Sequence, residues 1–151
     1  MQRPWLAVAA CLLGTPAAQT QTIANTGSLS FGSFVAGTGG TIAVAASGER
    51  SKTGAVILVP QGGGGTAAQF TVSGTAAATY AITLPSNDTV SLSDGNSHSM
   101  AINWFVSYPS ATGILSGGGT QMLRVGATLT VDNAQAPGSY AGSFSVIVNY
   151  N

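Results

Sequence analysis

Beyond residue 28 the sequence repeats one device: large apolar residues alternate with small polar ones in short runs, and each run stops at or near glycine, proline, Asn or Asp. A period of two puts successive side chains on opposite faces of an extended chain, so every such run reads as a half-buried β-strand. The runs are Leu29–Val35, Thr41–Ala45, Ala55–Val59, Gln69–Ser73, Thr79–Leu84, Thr89–Leu92, Met100–Ser107, Gln121–Val125, Thr128–Val131 and Tyr140–Tyr150. No stretch after the first 18 residues has helical spacing with caps. Pro60, Pro85, Pro109 and Pro137 each fall just outside a run, where a missing N–H does least harm to a ladder. Gly62–Gly65, Gly117–Gly119 and Asp94-Gly95-Asn96 supply turns, since glycine and Asn accept positive φ at low steric cost. Short antiparallel strands at this spacing predict two packed sheets, an all-β sandwich of immunoglobulin-like topology.

The last run is the most regular. Tyr140, Gly142, Phe144, Val146, Val148 and Tyr150 share one face; Ala141, Ser143, Ser145, Ile147, Asn149 and Asn151 share the other. Drawn out as one strand it would reach roughly 36 Å, enough to cross a whole sandwich. Tyr140, Phe144, Val146, Val148 and Tyr150 are therefore the candidates for a terminal edge strand with its apolar side on the core. A Tyr at the start of a late strand also fits a tyrosine corner, in which the hydroxyl bonds back to the backbone a few residues upstream.

Charge removes several function classes. Only 5% of the residues are charged, against about 25% in an ordinary soluble domain. The basic residues Arg3, Arg50, Lys52 and Arg124 are too few to track a phosphate backbone, so no nucleic-acid partner is expected. No apolar run approaches the roughly 20 residues of a membrane helix, so no membrane span is expected either. The start of the chain reads as an export address. Arg3 precedes the apolar stretch Trp5–Leu13, and small residues at Gly14–Ala18 follow it, the layout of a secretory signal peptide. The expected organisation is a signal at 1–18, an N-terminal segment at 19–28 and a β-sandwich domain at 29–151, exported to the periplasm, cell surface or medium. Cys11, the one cysteine, would leave with the signal, so packing and backbone pairing must supply stability without disulfides.

A search for chemistry finds turn formers. His98, the one histidine, lies in the polar run Ser93–Ser99, and no serine has glycine on both sides at the spacing of a nucleophile elbow. Glu49, Asp88, Asp94 and Asp132 all neighbour turn residues and read as surface charges, not as paired catalytic carboxylates. Asp88, Asp94 and Asn96 lack the spacing of a known calcium loop, and the glycine runs lack the lysine of a phosphate loop. No enzyme, metal or cofactor is expected. One aromatic group stands out. By simple alternation Trp104 shares a face with Met100, Ile102 and Val106 and belongs in the core, while Phe105 falls on the opposite face, at a sheet edge or under a loop. Phe105 and Tyr108 are the candidate binding aromatics of an alternative reading, in which the chain is a monomeric module for a glycan or a protein.

Leu29-Ser30-Phe31-Gly32 and Gly138-x-Tyr140-x-Gly142-x-Phe144-x-Val146-x-Val148-x-Tyr150 bracket the domain. Between them lie Gln69–Gly74, Tyr80–Pro85 and Val125–Leu129. In this order the segments resemble a family of secreted bacterial domains of unknown function, number 4402, over almost the whole chain after the signal. The bracketing pair is also similar to spore coat protein U-like pilins of archaic chaperone–usher pili. That second resemblance implies an incomplete immunoglobulin-like sandwich completed by a neighbouring subunit's N-terminal strand. The implied partners are copies of the chain or related subunits and a periplasmic chaperone, and the implied function is a non-catalytic subunit of a surface filament or matrix. Ile23, Leu29 and Phe31 are the candidate donor residues. Between Gln19 and Ser28, Ile23 is the one large apolar residue, a sparse donor for a site that would bury four or five side chains.

Overall fold

The computed structural model describes residues 21–59 and 64–150. The expected signal at 1–18, Pro60 and the first part of the Gly62–Gly65 turn lie outside the described residues. The elements are β1 (Thr22–Gly27), β2 (Ser33–Val35), β3 (Gly40–Val44), β4 (Arg50–Gly54), β5 (Ile57–Val59), β6 (Ala68–Ser73), β7 (Thr79–Thr83), β8 (Val90–Ser93), β9 (Ser99–Tyr108), β10 (Thr112–Ile114), β11 (Thr120–Val131) and β12 (Ile147–Tyr150). All pair antiparallel, and together they form a β-sandwich. The large layer has seven strands, ordered β1-β6-β11-β3-β4, with β9 on the other side of β11 and β8 beyond β9. Two small sheets, β10-β7-β12 and β2-β5, lie over its inner face.

β11 organises the molecule. Along one of its edges its first half pairs with β6 and its second half with β3; along the other edge its middle pairs with β9. The sequence reading divides this strand at Gly126, whereas the backbone runs through. A Cβ at 126 would overlap the carbonyl oxygen of Val44, so the glycine serves close approach of two strands and not a turn. The inward residues Leu123, Val125, Ala127, Leu129 and Val131 are all buried and divide between two core clusters. Leu129, Ile42, Val44, Met100 and Ile102 pack under β2 and β5, and Leu123, Val125, Val72 and Ala68 pack with Tyr80 and Leu115. Each fully buried aliphatic side chain contributes about 1.5–3 kcal/mol. Tyr80 is completely enclosed, its hydroxyl donating to Gln121 Oε1. Burial, with Tyr150 beside it, pushes the Tyr80 phenol above its usual range; burial does the same to Tyr150.

Besides the run through Gly126, β4 and β10 are strands that the sequence reading did not include, and three further assignments change. Leu29–Val35 is interrupted, because Gly32 takes φ 73° and its N–H turns to Ser30 Oγ; only Ser33–Val35 joins a ladder. The segment 19–28 contributes β1, whose residues pair with β6 from Thr22 opposite Ser73 to Gly27 opposite Gln69. Lastly, Tyr140–Tyr150 is not one strand. Ala141 exchanges two hydrogen bonds with Ser93 at the end of β8, both 2.9 Å, and the chain then crosses to the small sheet, where Ile147–Tyr150 pairs with β7. A segment that leaves one layer for the other cannot keep a ladder on the way. Its alternation nevertheless holds: Phe144, Val146, Val148 and Tyr150 pack against the second cluster, and Ser143, Ser145, Ile147 and Asn149 are exposed.

Candidate functional site

Because the second layer consists of two separate sheets, a groove of about 790 Å³ opens beside them. One wall is residues 29–37 and the other is residues 134–144. Val90, Leu92, Met100, Ile102 and Leu129, side chains of the large sheet, line it between these walls. Core residues thus reach a cleft that a continuous second sheet would have covered.

Each wall is tied down by specific polar groups. Arg50, at the start of β4, points inward because its partner Val44 does. Its guanidinium donates to the carbonyls of Phe31 at 2.8 Å, Ser33 at 3.2 Å and Val59 at 3.4 Å, joining the 29–35 segment and β5 to the large layer. On the opposite wall, Tyr140 donates its hydroxyl to the Ala136 carbonyl at 2.6 Å and accepts from Gln135 Nε2 at 3.1 Å. This is the back-bonded geometry expected of a tyrosine corner. Beyond it, residues 142–146 join no ladder among the described residues, and from Ser143 to Val146 exposed and half-buried residues alternate. Phe144 anchors them, with its ring 5.0 Å from Phe105 and 6.4 Å from Phe70.

The candidate donor residues lie in the chain's own fold. Phe31 is buried in the first cluster, Leu29 touches both clusters, and Ile23 sits on β1 opposite Val72, 36% exposed. Of the candidate terminal strand, Val148 and Tyr150 are in β12, Tyr140 and Phe144 line the groove, and Val146 lies between the groove wall and β12.

The candidate aromatics are rearranged by a β-bulge. Asn103 pairs with Thr128 and Val106 with Gly126, so Trp104 and Phe105 together oppose Ala127. Trp104 is the inserted residue, with φ 56°. An extra residue in one strand reverses the alternation after it. Met100 and Ile102 point inward, but so does Phe105, while Trp104, Val106 and Tyr108 point outward and are 66%, 46% and 73% exposed. The expectation of Trp104 in the core is therefore inverted, and Phe105 cannot share an exposed platform with Tyr108. A left-handed conformation at a bulky residue costs on the order of 1–3 kcal/mol. It is held by Asn87, whose Oδ1 accepts the Trp104 N–H at 2.9 Å, and by Phe105 filling the core position.

His98 is half of an acid–base pair. Its Nδ1 lies 2.6 Å from Asp94 Oδ2, while Asp94 Oδ1 accepts the N–H groups of Asn96 and His98. Desolvation pulls the Asp94 carboxyl upward, but these hydrogen bonds and the imidazole outweigh it and hold the group below its ordinary range. Through these bonds the pair ties the Asp94–His98 turn together. Among the described residues, no three His, Cys, Asp or Glu side chains converge as a metal site, and no helix is long and apolar enough to cross a membrane.

Comparison with known families places this geometry. A family model described as a domain of unknown function (DUF4402) matches residues 21–150. The chain belongs to this family. The matched DUF4402 region contains every strand described above, β1 included, and both walls of the groove. No curated protein and no solved structure matches the chain.

Proposed function

We propose that this DUF4402 domain is a non-catalytic structural subunit of a bacterial cell-surface assembly, completed by an extended strand from a neighbouring chain. The observation that carries the reading is the groove between residues 29–37 and 134–144, with core side chains beneath it and residues 142–144, which join no ladder among the described residues, along one wall. A strand laid there would pair with that backbone and set alternate side chains on Leu92, Met100 and Ile102. Four or five such side chains at about 1.5–3 kcal/mol each would add roughly 6–15 kcal/mol, as much as a whole domain's stability. The incomplete immunoglobulin-like sandwich of spore coat protein U-like pilins is the architecture this reading supports. Its partners are copies of the chain or related subunits, preceded by a periplasmic chaperone. Export by the leader at 1–18 is part of the same proposal.

The test is hydrogen exchange on the chain starting at Gln19, titrated with a synthetic peptide carrying valine at alternate positions. Occupation of the groove slows exchange of amides in 142–146 towards that of β12. Ser143→Pro removes a backbone donor from the wall, and it should lower the peptide's affinity without changing the melting temperature of the free chain. Unchanged exchange in 142–146 at saturating peptide would sink the reading.

A further inference from the structure

The outer face of the large sheet carries a feature that strand addition does not use. We infer that Trp104 and Tyr108 form a stacking site for a neutral oligosaccharide. Simple alternation would have placed Trp104 against Met100 and Ile102; the bulge turns it out to solvent, and bulges recur where a side chain is re-aimed next to a functional site. From Trp104 through Val106 to Tyr108 the outward residues follow one line along β9. Four residues of strand separate the two rings by roughly 13 Å, so both can lie under one short chain of sugar units. The apolar C–H faces of pyranose rings stack on such exposed aromatic faces, while their hydroxyls need a few convergent polar groups.

Those polar groups are present at both ends. Beside Trp104, Asn87 uses its Oδ1 on the Trp104 N–H and leaves its Nδ2 donors without a protein partner among the described residues. Asn103 accepts the Asp88 N–H at 2.7 Å and brings the Asp88 carboxylate to the same end. At the other end Arg124 pairs in register with Tyr108 and is exposed, making no ion pair among the described residues. One cation and one anion flank the rings, so nothing in the site selects a charged polymer.

Area decides between a sugar and a protein. Aromatic side chains offer about 150–250 Å² each, and at 66% and 73% exposure the two rings present at most roughly 350 Å². Val106 and the half-exposed Met122 enlarge the patch, but it falls short of the ~800 Å² per partner of a stable protein interface.

The chain holds two tryptophans, Trp5 and Trp104, so protein starting at Gln19 reports on this site alone. Its emission is titrated with cellohexaose, chitohexaose and maltohexaose. The expected result is a saturable change with at least one of them, weakened roughly tenfold in Tyr108→Ala with its melting temperature unchanged. Trp104→Ala, followed by calorimetry, should lose the heat of binding. Emission unmoved by all three sugars overturns the inference. So does a spectral shift that depends on protein concentration with no sugar present, because the face would then be covered by a second copy. Neither outcome touches the groove, whose test reads amides on the opposite side of the large sheet.

Discussion

Trp104 and Phe105 are adjacent aromatic residues with opposite energetic weight. Phe105 touches both core clusters and packs its ring at a tilt against Phe144, so Phe105→Ala should cost about 2–4 kcal/mol in urea unfolding. Trp104→Ala removes an exposed ring and leaves a small residue at the same positive φ, and its stability should stay within about 1 kcal/mol of the parent. Equal losses from the two would mean that the bulge is placed one residue out. This inversion was not legible in the sequence, because alternation carries no mark of an inserted residue. Asp94 makes a second prediction. Its carboxyl is held below the ordinary aspartate range by native hydrogen bonds, so its contribution is present above the unfolded-chain pKa and is lost as pH falls through the lower folded value. Melting curves from neutral pH to pH 2 should lose this acid-dependent portion in Asp94→Asn, which should melt lower than the parent near neutrality.

At the level of the element, β11 depends on one missing methyl group. Gly126→Ala would drive a Cβ into the Val44 carbonyl, and since the obstacle is backbone it cannot swing aside. A loss of about 2–4 kcal/mol is expected by calorimetry; a neutral result would show that β3 can slide off β11 without cost. The sequence did reveal which faces of these strands are apolar. The runs Gln121–Val125 and Thr128–Val131 read as half-buried strands, and each puts apolar residues in the core, Val125 and Leu129 among them. It did not reveal that the strand continues through Gly126, because a glycine chosen for close approach and one chosen for a turn look alike in a single sequence. The C-terminal run shows the same limit. Its in-and-out pattern from Phe144 to Tyr150 is correct, since burial follows local alternation. Its ladder is confined to β12, since hydrogen bonding depends on partners distant in the chain, namely Ser93 on one layer and β7 on the other. Likewise, the sequence marked Leu29 and Phe31 as special without showing that Arg50 would pin the carbonyls around them.

For the whole molecule, the large layer ends in three strands, β1, β4 and β8, and the first two are unequal. β4 carries Arg50 and Lys52, charges that discourage a foreign strand, whereas β1 reads Thr-Ile-Ala-Asn-Thr-Gly with neither charge nor proline. A chain beginning at Leu29 loses β1 and bares β6, whose inward Phe70 and Val72 belong to the second cluster. It should keep its β-sheet circular dichroism but melt several degrees lower and associate more readily in light scattering. If it is as stable and as monomeric as the longer chain, β1 is an appendage and not a working part of the sheet. The central place of β11 also has a consequence in time. β3, β6 and β9 are made first and can pair with β4, β1 and β8, yet each finds its second neighbour only when residues 120–131 exist. Until then a growing chain holds three separate strand pairs with no spine to join them. Its exposure to mispairing is therefore set by how quickly the last quarter of the chain arrives.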